Sequence, residues 1–111
     1  MNEDAIQKAC ADYLHMQRGD FMWFHPANGG KRHIGVAKKL KAHGVIKGCL
    51  DLCFTWATGS GYIELKEPHK YKDLKPEQKA WRDRCKELGI KWALCTSVSE
   101  VEMTIREWGL I

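Results

Sequence analysis

The chain has no run near the ~20 consecutive apolar residues that would span a bilayer. It also lacks the apolar core of a signal peptide. Met1-Asn2-Glu3-Asp4 opens it with acids instead, so a cytoplasmic location is expected. Cys-x-x-Cys pairs are missing: five cysteines, an odd count, stand singly at positions 10, 49, 53, 85 and 95. Zinc needs about four converging ligands, which this spacing does not offer. Reduced thiols in an apolar core are expected. Internal repeats and low-complexity tracts are absent too. At 111 residues the chain has room for one core and not for two, so residues 1–111 are expected to form a single stand-alone domain.

One further absence is local. From Phe21 to Leu50 there is no acidic residue, while Lys31, Arg32, Lys38, Lys39, Lys41 and Lys47 contribute +6 to a chain whose net charge is only +4. The remainder is therefore slightly acidic. Such a block suggests a polyanion as partner; lysines on a solvated helix face are the ordinary alternative. His25, His33 and His43 lie in the same window and add charge below neutral pH.

What is present alternates between helix and strand signals. Asn2 can cap a helix running to about Gln17, with Glu3 and Asp4 at its positive end and Ile6, Cys10, Tyr13 and Gln17 at helical spacing. Glu3 falls three residues before Ile6 on that inward stripe, although a solvated first-turn acid is the commoner reading of such a residue. Phe21 to His25 reads as a strand, and Pro26-Ala27-Asn28-Gly29-Gly30 as a break. A basic helix is expected from His33 to His43, closed by Gly44. Leu50 to Trp56 and Tyr62 to Lys66 are rich in apolar, β-branched and aromatic residues, and Thr58-Gly59-Ser60-Gly61 between them predicts a hairpin turn. After a polar, lysine-rich loop, Pro76 and Glu77 open a helix with a stripe of Trp81, Cys85 and Leu88, stopped by Gly89. Gln78, three residues before Trp81, falls on the core side, an ordinary surface glutamine being the equal alternative. Lys91 to Thr96 is a strand, and Ser97 with Glu100 offers a capping box for a last helix with inner face Val101, Ile105 and Trp108. The order is α-β-α-β-β-α-β-α, which packs naturally as an α/β fold, a mixed sheet flanked by helices.

The hairpin carries the chemistry. Side chains alternate along a strand, so Glu64 and Lys66 share one face while Ile63 and Leu65 take the other, and Asp51 sits on the neighbouring strand. Two carboxylates and an amine on rigid strands suit a divalent cation and a water aimed at a phosphodiester. The same three residues would also serve as cross-strand ion pairs on a solvated face, which stabilise little.

The ordered set Gly48-Cys49-Leu50-Asp51-Leu52, Ile63-Glu64-Leu65-Lys66 and Pro76-Glu77-Gln78 resembles the VRR-NUC (virus-type replication-repair nuclease) family of the PD-(D/E)XK nuclease superfamily. The likeness covers nearly the whole chain, including Glu3 on an early helix and an Asn28-Gly29 turn before the basic segment. Two positions depart from the family pattern: Leu50 stands where proline is usual, and Lys75 where a small hydroxyl residue often caps the helix.

The resemblance implies a restriction-endonuclease-like fold in which Asp51 and Glu64 bind Mg²⁺ or Mn²⁺, the Leu65 carbonyl completes the protein ligands and Glu3 is an extra carboxylate. Lys66 would orient or help deprotonate the attacking water, and Gln78 would hold the lysine or the water. A lysine among carboxylates stays protonated, which favours positioning over base catalysis. The implied nucleic-acid face is Asn28, Lys31, Arg32, Lys38, Lys39, Lys41 and Lys47. The implied activity is a structure-selective DNA endonuclease, nicking or resolving Holliday junctions, working as a homodimer in a bacterial or phage-infected cell. A non-catalytic nucleic-acid-binding module with the same fold is the alternative. Nothing in these residues selects DNA over RNA, or one metal ion over two.

Overall fold

A computed structural model describes residues 1–26, 34–44 and 50–111. Helix α1 (Glu3–His15) starts where the Asn2 side chain accepts a hydrogen bond from the Ala5 N–H at 2.8 Å, with Glu3 and Asp4 in its positive first turn. Its buried face is Ile6, Cys10 and Leu14, a four-residue repeat. The expected stripe through Tyr13 and Gln17 is thus displaced by one position. Tyr13 is half-buried, and the helix ends at His15, before Gln17.

Strand β1 (Phe21–Phe24) pairs antiparallel with β2 (Leu52–Trp56), and β2 with β3 (Gly59–Leu65). Between β1 and β2 lies the basic helix α2 (Ile34–Ala42), after which Gly44 takes a left-handed φ of 96°. A short 3₁₀ turn (Pro68–Lys70) and helix α3 (Pro76–Leu88) cross over from β3 to β4 (Lys91–Cys95), which runs parallel to it. A parallel neighbour requires such a crossover. Helix α4 (Val98–Glu107) closes the fold, and the strands lie in the order β1-β2-β3-β4. The α/β architecture and the element order are those read from the sequence.

One sheet face carries Leu52, Phe54, Ile63 and Leu65, all fully buried, against Ile6, Cys10 and Leu14 of α1 and Val101 and Ile105 of α4. The opposite face meets α3, where Tyr62 packs edge-on against Trp81 with ring centroids 5.7 Å apart. Leu88, expected on the buried stripe of α3, is 55% exposed; the stripe runs Gln78–Cys85 and ends before the last turn. Gly89 closes α3 with a φ of 74°. Ser97 accepts from the Glu100 N–H at 3.2 Å, and the Glu100 carboxylate reaches back to the Thr96 N–H at 2.6 Å, one residue before the cap.

The hairpin turn is shorter than its glycines suggest. Trp56 pairs with Gly59, so only Ala57 and Thr58 connect the strands, and Gly59, Ser60 and Gly61 belong to β3. Close packing is the reason for Gly61: a Cβ there would fall 2.6 Å from the Trp108 ring. Trp108 also stacks on Trp56 (5.9 Å, 29°) and meets the edge of Phe54 (5.8 Å, 83°). Trp23, Trp56 and Trp108 are half-buried and pack against the core.

Candidate metal centre

The open end of the β2–β3 hairpin brings the acids together. Leu52 pairs with Ile63, so the next position outward places Asp51 beside Glu64. Asp51 is fixed from two sides. Its Oδ2 accepts from the Leu65 N–H at 2.7 Å, and its backbone carbonyl lies 2.6 Å from His25 Nδ1, just beyond the end of β1. Glu3 comes from the first turn of α1. One oxygen each from Glu3, Asp51 and Glu64 lie within 4.8 Å of one another.

Glu64 is only 3% exposed. Its Oε1 accepts from Gln78 Nε2 at 2.7 Å, and Gln78 Oε1 in turn accepts from the Lys75 N–H at 2.8 Å. A single amide therefore anchors the buried acid and satisfies a backbone donor at the start of α3. Lys75 has no side-chain acceptor to offer there, and the amide covers part of that deficit. Glu64 Oε2 is buried with no hydrogen-bond donor among the described residues.

The electrostatics follow from this crowding. Burial first, then the adjacent Asp51 carboxylate, push the Glu64 carboxyl up to about 10, against a downward pull from Lys66. Glu3 is exposed as a residue, but its carboxyl is also raised, by partial burial first; Lys66 opposes this and Asp51 adds to it. Lys66 is 7% exposed, following the last residue of β3, and its N–H bonds the Cys95 carbonyl at 3.0 Å.

The donor set fits a hard divalent cation. Three carboxylates converge, one buried oxygen lacks a donor, and the atoms offered are oxygens, which Mg²⁺ and Mn²⁺ prefer to nitrogen or sulfur. The neighbouring thiol does not compete. Burial and the charge of Asp51 hold Cys53 up at about 11, and Cys10, Cys53, Cys85 and Cys95 are all free and buried.

Of the residues singled out in the sequence, Glu3, Asp51, Glu64, Leu65, Lys66 and Gln78 meet at this end of the sheet. Lys38, Lys39 and Lys41 lie exposed on α2. Asn28, Lys31, Arg32 and Lys47 lie outside the described residues, as does Cys49. From the sequence, His25 offers only a charge below neutral pH. Its contact with Asp51 depends on the β1–β2 register, for which the chain carries no local signal.

Comparison with known proteins agrees with this picture. The family model of the VRR-NUC domain matches residues 1–99. A solved structure described as "VRR_NUC domain protein" superposes with a TM-score of 0.72 at 21% identity, covering 96% of this chain and 89% of the other. At that identity the likeness speaks for the fold. A search of curated proteins gave no match.

Proposed function

The chain belongs to the VRR-NUC domain family, and from that premise we propose that it is a metal-dependent endonuclease that hydrolyses phosphodiester bonds in DNA. The observation that carries the reading is the convergence of Glu3, Asp51 and Glu64 within 4.8 Å around a buried, unpartnered carboxylate oxygen, with Lys66 beside them. Three acids packed this closely are costly for a protein that only holds DNA, because they repel phosphate. They suit one that recruits a cation to it.

Asp51 and Glu64 would hold Mg²⁺ or Mn²⁺, with Glu3 as a third carboxylate and the Leu65 carbonyl as a further oxygen. Bound there, the ion supplies a more acidic water and offsets charge on the phosphate oxygens. The chain's own residues do the placing. The Leu65 N–H aims Asp51, and Gln78 aims Glu64. Lys66 orients the nucleophilic water and faces the phosphate as charge builds on it. The side chains of Lys38, Lys39 and Lys41 grip backbone phosphates without reading bases, so the shape of the substrate, branched or duplex, selects the cut. A homodimer would set two such centres against two strands.

The test is a panel of supercoiled, linear, flapped, splayed and four-way DNA with Mg²⁺ or Mn²⁺. Cleavage that disappears in chelator and in Glu64→Ala supports the enzyme. DNA binding without cleavage under either metal would instead make it a binding module.

A further inference from the structure

A groove of about 630 Å³ lies between the outer side of α1 and the end of β1. Resting on the nuclease reading, we infer that this groove is a subsite for one unpaired nucleobase next to the scissile phosphate, so that the substrate carries a single-stranded or splayed nucleotide there.

Three observations carry it. The groove is lined by ring residues: His15 and Trp23 are tilted against each other at 4.9 Å and 59°, and Phe24, at the end of β1, also lines it and is 56% exposed although it is a large apolar side chain. Its end lies next to the segment that carries the acid centre: His25 lines the groove, and its Nδ1 lies 2.6 Å from the Asp51 backbone carbonyl. A strand whose phosphate reaches Asp51 therefore presents its adjoining base to the groove. The polar lining suits a heterocycle and opposes a phosphate. Asp4 and Gln7 offer acceptors and an amide to the N–H groups and carbonyls of a base edge, whereas the Asp4 carboxylate repels an anion. Lys8, also on this wall, is engaged by Asp12 at 3.0 Å.

Stacking on rings binds any base through its π-face, without sequence preference. A base still paired in a duplex brings its partner strand with it and cannot enter a slot between a helix and a strand. Extrusion or prior unpairing is then required.

The probe is a single-stranded dA hexamer titrated in chelator and followed by tryptophan emission, beside the same hexamer with abasic sites. The dA hexamer should quench the emission and bind about tenfold more tightly than the abasic one. Phe24→Ala should remove most of that preference, and Met22→Ala, on the same strand but outside the groove lining, should leave it intact. Should Phe24→Ala fail to fold, Phe24→Leu keeps the apolar bulk, loses the ring and should show the same loss. Equal affinity for the two hexamers, or a preference that survives removal of the Phe24 ring, overturns the subsite. Metal-dependent cleavage with no base preference sinks the groove alone. A base preference without cleavage under any metal sinks the nuclease reading and leaves the groove as a binding site.

Discussion

The two ends of the β2–β3 hairpin are built on opposite principles. At the turn end, Gly61 lets Trp108 lie against the strand, and Trp108 joins Trp56 and Phe54 in a ring cluster. At the open end, Glu64, Lys66 and Gln78 are buried polar groups beside Asp51 and Glu3. The first end gains by excluding water from apolar surface. The second places ionisable groups where each costs free energy unless charge or protons compensate. A short strand pair can therefore hold a strained electrostatic arrangement because its far end is closed by packing. On the nuclease reading, function and stability are separated along one element.

That separation can be broken from either side. The largest effect expected is on catalysis: Glu64→Ala or Asp51→Asn should lower DNA cleavage at least ~10³-fold while leaving the melting temperature unchanged or raised, since a costly acid is removed. Asp51→Asn should hold DNA as tightly as the parent protein or more so, measured by fluorescence anisotropy. A parallel loss of stability in these variants would join the two ends again. The mirror experiment is Gly61→Val, which drives a side chain into the Trp108 ring. A stability loss of about 2–3 kcal/mol by urea unfolding is expected, with cleavage per folded molecule unchanged.

The pH dependence sharpens the contrast. Burial and the Asp51 carboxylate push the Glu64 carboxyl up to about 10 in the folded chain, well above the 4.5 of a free glutamate. Between those values the folded state binds the extra proton, so its contribution is complete at low pH and is lost as pH rises towards the folded value. In chelator the melting temperature should fall between about pH 6 and about pH 9, and Glu64→Gln should flatten that slope. Divalent cation, which favours the ionised acids, should stabilise the protein more at the higher pH. A rescue by Mg²⁺ or Mn²⁺ that does not depend on pH would contradict the assignment of Glu64 as a ligand. The smallest effect is at a distance: Lys38→Glu with Lys39→Glu should weaken DNA binding several-fold and flatten its dependence on salt. Hairpin stability should not change.

Most of the centre could be read from local pattern. The alternation of Ile63-Glu64-Leu65-Lys66 fixes which side chains share a face, and the offset of Gln78 from Trp81 places the amide inward; both hold because strand and helix periods are local properties. What escaped depends on partners distant in sequence. Gly59 and Gly61 read as turn residues, yet the space they leave belongs to Trp56 and Trp108. The choice of Leu14 over Tyr13 is made by the core of β2, β3 and α4, and α1 alone does not encode it. Leu88 satisfies the helical period of α3 but lies past the end of the sheet contact. The meeting of His25 with Asp51 needs the β1–β2 register.

The shared amide of Gln78 has a consequence for control. Because it grips both Glu64 and the peptide N–H that opens α3, the posture of the acid and the winding of that helix's first turn are one event. Whatever pulls on the lysine-rich crossover ahead of Pro76, be it a docked strand, a cut in the backbone or a bulky modification, is transmitted to the carboxylate without touching it. The crossover is thus a natural handle by which the molecule could be silenced.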